Sequence, residues 1–285
     1  MKKKLILFTV LVFFIICIVV PSNSKDHQEI SKADFTILLS NDDGYNAPGL
    51  KALAKALAPI AMIFVAAPAN QQSGAGHGIT YREPIFVWEV FNADKIPWYA
   101  ITAKPATCAR LGIESLIKDK PDLIVSGINK GENLGWITFH SGTVGAAREA
   151  HFTGLPAIAT SLQGNDKNDY KAAAEYIRDL IKQLRSKNLL NKELLLNINF
   201  PSGIASGIKG TKITKLGTLS ERNVYHKLKL PFLQVYKVNQ QEKILNNDPE
   251  TDINAFSNGY VTITPLSINQ TNTNEIEHLK RSLDN

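Results

Sequence analysis

The sequence predicts an α/β domain: a mostly parallel β-sheet covered by helices on both faces. Two patterns carry this expectation. Short apolar runs rich in β-branched residues recur with helix-period segments between them. These runs are apolar at successive positions rather than alternate ones, as expected for strands buried on both sides. At 285 residues, 44% hydrophobic and 20% charged, the chain can bury a substantial core. No internal repeat or low-complexity tract breaks it into smaller units.

The strand candidates are Phe35 to Ser40, Ala61 to Pro68, Asp122 to Gly127, Pro156 to Ser161, Leu194 to Phe200 and Tyr260 to Pro265. Between the first two, Leu50, Leu53, Ala54 and Leu57 repeat at i, i+3, i+4 and i+7 and predict a helix; Ala173, Ile177, Leu180, Ile181 and Leu184 predict a longer one. From Gly217 to Asn258 the pattern changes to hairpin-like strands and loops without a long helix, so this segment forms either a small lobe or an arm toward a second subunit. Thr271 to Asn285 reads as a short polar terminal helix.

Residues 1–24 are expected to be an export signal. Lys2, Lys3 and Lys4 precede an unbroken apolar run of 16 residues, and Ser22 and Ser24 occupy the small-residue positions of a cleavage site. The run is short for a membrane span, which needs about 20 residues; an uncleaved membrane tether is the alternative. Without the leader the formal charge falls from +6 to +3. No cluster of Lys and Arg interleaved with aromatics accompanies it, so a nucleic-acid polymer is not an expected partner. Only Cys108 remains beyond the leader, which excludes an intramolecular disulfide, a CxxC redox site and a thiolate zinc cluster. Its apolar helical context makes Cys108 a structural residue.

In an open parallel sheet, ligands bind beyond the carboxyl ends of the strands. The loop after the first strand carries Asn41, Asp42, Asp43 and Gly44; the next carries Ser73, Gly74, Gly76, His77 and Gly78. The run "DLIVSG" is followed by "INKGENLG", with Asn129, Gly131, Asn133 and Gly135, and "HSGTVGAA" places Ser141, Gly142 and Thr143 at a helix start. Two adjacent carboxylates repel unless one is protonated or a cation lies between them. A hard divalent ion, Mg²⁺, Mn²⁺ or Ca²⁺, satisfies the pair, and Ser73 and Asn129 offer further oxygens from neighbouring loops. An N-cap with a solvated second acid is the plainer alternative. The glycine loops and the helix start suit an anion beside the metal. "GAGHG" lacks the spacing of a dinucleotide fingerprint. His77 and His140 are candidates for contact with a leaving group.

Taken together, "ILLSNDDGYNAPGL", "QSGAGHGIT", "VSGINKGENLG", "SGTVGAA" and "TDINAFSNGYVTITPL" resemble the SurE family of survival proteins from about Phe35 to about Leu266. The resemblance implies a three-layer α/β/α, Rossmann-like domain over residues 25–285, with residues 217–258 as a hairpin excursion exchanged between subunits of a homodimer or homotetramer. It implies a metal-dependent nucleotidase that hydrolyses nucleoside 5′-monophosphates, with 3′-nucleotides and short polyphosphate as further substrates. One divalent cation per subunit, Mg²⁺ or Mn²⁺, is implied on Asp42, Asp43, Ser73 and Asn129. The phosphate is expected among Asn41, Gly74, Asn133, Ser141, Gly142 and Thr143, and the chemistry at Asp42 and Asp43. Lys104 and Thr107 in "AKPATC", His140 and Gln72 depart from the family's usual residues and bear on substrate preference. The leader implies export to the periplasm; a cytoplasmic location, since most relatives look cytoplasmic, is the other alternative. An exported non-enzymatic protein that binds a phosphorylated ligand is the competing reading.

Overall fold

The computed structural model describes residues 35–218, 220–230, 232–244 and 248–283. The leader expected at 1–24 lies outside them. Strands β1 (Thr36–Ser40), β2 (Met62–Pro68), β3 (Val87–Glu89), β4 (Trp98–Ile101), β5 (Leu123–Lys130), β6 (Ala157–Leu162), β7 (Leu195–Phe200), β8 (Thr211–Ile213) and β11 (Val261–Pro265) form one sheet. Its order is β3-β4-β2-β1-β5-β6-β7-β11-β8. The six strands from β4 to β7 run parallel, with β3 antiparallel at one edge and β11 antiparallel to β7 near the other.

Alternation along β1 divides the interior into two layers. Ile37 and Leu39 face one cluster with Leu50, Leu53 and Leu57 of α1 (Pro48–Leu57) and with Ala173, Ile177 and Ile181 of the long helix α4 (Lys167–Ser186). Leu38 faces the other, with Cys108 and Ala109 of α2 (Pro105–Leu111) and Val144 and Ala147 of α3 (Gly142–Phe152). Helices on both faces of a mostly parallel sheet make the three-layer architecture expected from the sequence.

Strand order reverses at β1. From β1 the chain crosses to β2 on one side, and β5 later pairs on the other, so the crevice between the ends of β1 and β5 is the switch point of the sheet. The structure extends β5 past the apolar run to Lys130, with its register against β6 shifting between Ser126 and Asn129. Gly127 permits the shift: its φ is +135°, and a Cβ there would lie 2.3 Å from the Thr160 carbonyl oxygen. The irregularity carries "SGIN" to the sheet edge. Strands β3, β4 and β8 have three or four residues each, too few to give a periodic signal.

Beyond β8, β9 (Ser220–Leu230) and β10 (Leu233–Ile244) form a separate antiparallel hairpin. Tyr225, Leu228, Leu233 and Tyr236 are exposed on it. A short helix, α5 (Asp252–Ser257), precedes β11, and α6 (Thr273–Leu283) ends the described chain with no buried residue. Among the described residues no helix is long and apolar enough to cross a membrane.

Helix α1 begins at Pro48, whose missing N–H costs nothing at a first helical position. The next residue sets its distance from the sheet. A Cβ on Gly49 would lie 2.0 Å from the Ile128 carbonyl oxygen, and backbone cannot yield as a flexible side chain can. Gly49→Ala is therefore expected to destabilise the fold by about 2 kcal/mol or more. Urea unfolding of the purified variant reads this directly, and a loss under about 0.5 kcal/mol, the size of an ordinary surface change, would show that α1 does not depend on this contact.

Candidate active site

The turn after β1 places the two acids in different surroundings. Asp42 is buried and lies under the first turn of α3. The Thr143 hydroxyl donates to its Oδ1. The approach requires Gly142, since a Cβ there would sit 2.7 Å from Asp42 Cβ and 2.9 Å from its Oδ2. Asp43 is half-buried, and its Oδ2 accepts the Lys130 N–H from the end of β5 at 2.9 Å. One acid therefore contacts α3 and the other contacts β5, across the switch point.

Electrostatics mark the pair. Burial, reinforced by the charge of Asp43, pushes the Asp42 carboxyl up to about 6 against the pull of Thr143's hydroxyl and backbone N–H. Burial also raises Asp43 against the opposing effect of Lys130. On the far side of Asp43, burial and that acid's charge push the Tyr170 phenol up to about 12.

The other oxygens reach the same edge from neighbouring strands. Gln72 N–H donates to the Asp42 carbonyl at 2.7 Å, which brings the loop after β2 alongside the acids. Ser73 and Gly74 are exposed in this loop, and Gly74 has φ +74° with open space around it. Gln71 donates to the Ser73 hydroxyl oxygen at 3.0 Å. Asn129 Nδ2 donates to the Gly131 carbonyl at 2.7 Å, and its Oδ1 accepts no hydrogen bond from the described residues. Asn41 Nδ2 donates to the Gly44 carbonyl at 2.9 Å, while its buried Oδ1 has no partner. Two carboxylates, a hydroxyl and amide oxygens form a hard donor set that fits Mg²⁺ or Mn²⁺. Among the described residues no group of three or more His, Cys, Asp or Glu offers another metal site.

The residues expected at the phosphate divide. Ser141 caps α3, accepting Val144 N–H at 3.1 Å, and Gly142 and Thr143 follow it beside Asp42. Asn133 is buried in a polar network. Its N–H donates to Asn199 at 2.7 Å, its Nδ2 donates to Ser161 at 2.8 Å, and its carbonyl accepts from Asn197 and Asn199. In this position Asn133 fixes the loop after β5. His140 is exposed, and its carbonyl accepts Gly76 N–H at 2.9 Å. His77 bonds to the buried Glu149 of α3 at 2.6 Å. Cys108 is fully buried, its thiol pushed up by burial and donating to the Ala103 carbonyl, as a structural cysteine should be.

Sequence reasoning missed two supporting acids. Glu149 joins His77 to Arg110 of α2. Asp252 accepts Gly135 N–H and Gly217 N–H at 2.8 Å each, tying the loop after β5 to the start of α5. Neither carries a signal in the sequence, because an acid in a helix looks solvated and their partners are distant in the chain.

The raised carboxyl has a testable consequence in metal-free protein. Because Asp42's folded pKa lies above the unfolded value of about 4, its contribution to stability is fully present below pH 4 and is lost as pH rises through about 6. Asp42→Asn, which keeps the oxygen facing Thr143 and removes the charge, is expected to be more stable than wild type at pH 7 by up to about 3 kcal/mol. The difference should close near pH 4 in urea titrations with a chelator present. A variant less stable at pH 7 would show that Asp42 is not held at a cost.

Comparison with known proteins adds to this geometry. Residues 37–223 match the family described as Survival protein SurE. The chain is 41% identical over 248 residues to a protein named 5′-nucleotidase SurE from Desulfitobacterium hafniense, covering 87% of this chain and 96% of that one. It is 39% identical over 251 residues to one of the same name from Pelotomaculum thermopropionicum, covering 87% and 95%. Among solved structures, the SurE protein from Aquifex aeolicus superposes with a TM-score of 0.75 at 33% identity, covering 88% of this chain and all of that one. The chain belongs to the SurE family.

Proposed function

We propose that this protein is a metal-dependent 5′-nucleotidase that hydrolyses nucleoside 5′-monophosphates to nucleoside and inorganic phosphate. The observation that carries this reading is the pair of adjacent, desolvated carboxylates at the switch point, with neutral oxygens offered at the same sheet edge by the loop after β2 and the end of β5. The names of the similar proteins support it.

Asp42, Asp43, Ser73 and Asn129 would hold the cation. When bound, it would polarise the phosphoryl group, offset charge in the transition state and lower the pKa of a coordinated water. The chain supplies the remainder. The start of α3 sits over Asp42, so the positive end of the helix dipole favours phosphate oxygens at the same point. Gly74, with open space where a side chain would stand, leaves room for an anion to approach backbone. Thr143 holds one Asp42 oxygen through its hydroxyl and so fixes the rotamer of that carboxylate. Asp43 is held in the same way by Lys130 N–H. Such preorganised groups lower the barrier because they need not reorient as charge develops.

Purified protein with Mg²⁺ or Mn²⁺ is expected to release phosphate from AMP. A chelator should abolish the release, and Asp43→Ala should cut kcat/KM by more than about 100-fold, since even residues outside the ligand set can cost 10 to 100-fold. Saturable AMP binding without turnover would replace the enzyme with a binding protein. Activity that survives both the chelator and the substitution would remove the metal site from the mechanism.

The reading extends to place and assembly. The protein is exported to the periplasm after loss of residues 1–24, and it forms a homodimer or homotetramer in which the exposed hairpin of β9 and β10 reaches a second copy. One preparation from the periplasmic fraction of the native host checks both points: the expected N-terminus follows Ser24, and the light-scattering mass is at least twice that of one chain. A cytoplasmic chain retaining Met1 would overturn export, and a single-chain mass would overturn assembly.

A further inference from the structure

The loop that carries Ser73 and Gly74 is held almost entirely by backbone. Gln72 N–H donates to the Asp42 carbonyl at one end, and Gly76 N–H donates to the His140 carbonyl at the other. Within the loop, Ala75 N–H donates to Gln72 and Gly78 N–H donates to Ala75. From Gln72 to Gly78, His77 is the one described side chain that ties the loop to another element. Its Nε2 lies 2.6 Å from Glu149 Oε2, and its ring stacks on Phe152 with centroids 5.2 Å apart. Packing is close as well, since a Cβ on Gly145 would fall 2.2 Å from the Gly76 carbonyl oxygen.

Glu149 is 6% exposed, and its second oxygen accepts Arg110 Nε from α2. Hydrogen bonds from His77 and then Arg110 hold its carboxyl below the usual range despite burial. It is six residues beyond Thr143, about 9 Å along the same helix. Helix α3 thus contacts the candidate metal site twice: Thr143 fixes Asp42, and Glu149 fixes the loop bearing Ser73.

We propose that Glu149, acting through His77, is the positioning residue that sets Ser73 against the Asp42 and Asp43 pair, so that loss of this tether weakens metal binding before it affects the fold. The proposal rests on the metal-dependent reading given above. No proton transfer at His77 is needed. The imidazole spaces the loop from α3 and limits the freedom that Gly74, Gly76 and Gly78 would otherwise give it.

The test is Mn²⁺ titration by calorimetry on wild type, His77→Ala, His77→Gln and Arg110→Ala, beside thermal unfolding of each metal-free protein. His77→Ala is expected to weaken Mn²⁺ binding 10 to 100-fold, the range for residues that orient metal ligands. Arg110 continues to neutralise Glu149 in that variant, so it should fold. His77→Gln, which can still donate to Glu149, should recover part of the affinity. Arg110→Ala removes the other bond to Glu149 and leaves the tether, so it should bind Mn²⁺ within twofold of wild type. Affinity unchanged in His77→Ala, or reduced equally in Arg110→Ala, would overturn the positioning role. Wild-type protein that binds no Mn²⁺ would instead overturn the metal reading, and the tether's role with it.

Discussion

A buried carboxylate under the start of a helix governs this structure. Asp42 is nearly inaccessible, and α3 approaches so closely that its first residue has no room for a side chain. A helix N-terminus lowers the cost of such a charge, because free N–H groups and the macrodipole both favour it. The compensation is incomplete, as burial still raises the carboxyl to about 6. A second acid one residue away deepens the imbalance. The arrangement is unfavourable for a protein alone and would be relieved by a bound cation.

The sheet around Asp42 shows the same preference for function over local satisfaction. Among the described residues, Ser40, Asn41, Ser126, Thr160, Asn197 and Thr262 carry buried side-chain oxygens without a hydrogen-bond partner; they lie in β1, β5, β6, β7 and β11 or, for Asn41, directly after β1. Buried polar atoms are nearly always paired, so exceptions running across five neighbouring strands set this part of the sheet apart, and Ser40 and Asn41 bring them up to the acidic pair. Other buried polar groups are paired. Asn133 and Asn199 satisfy one another across the loop and strand, and Asp169 accepts Gly203 N–H and Ala205 N–H.

Much of this was legible in the chain because the signals were local. The apolar runs gave six strands to within a few residues, and i, i+3, i+4 spacing gave α1 and α4, since burial on a given face leaves a period in the sequence. The placement of the acidic doublet, the serine of the glycine loop and Asn129 at one edge was legible because the carboxyl ends of parallel strands lie together whatever their details. Short edge strands carried no period and were missed. The extension of β5 through Gly127 was hidden as well, because a register shift depends on the neighbouring strand. The Glu149 and Asp252 anchors could not be read, since an acid in a helix looks solvated until its partners, 72 and 117 residues away in chain order, are in place.

Asp252 also explains how an excursion as long as the β9 and β10 hairpin can leave the site undisturbed. Its Oδ1 accepts Gly217 N–H where the chain departs for the hairpin, and its own N–H donates to the Lys215 carbonyl. Lys215 in turn donates through its N–H to the Glu250 carbonyl, so departure and return are clamped within a few residues of each other. The same carboxylate's Oδ2 holds Gly135 in the loop after β5, where a Cβ would lie 2.5 Å from the Gly217 carbonyl oxygen. Whatever the hairpin contacts, its base is fixed by one buried acid that also fixes the loop next to Asn133. The base of the excursion and the loop next to Asn133 thus share one anchor, so a change that moves Asp252 reaches both.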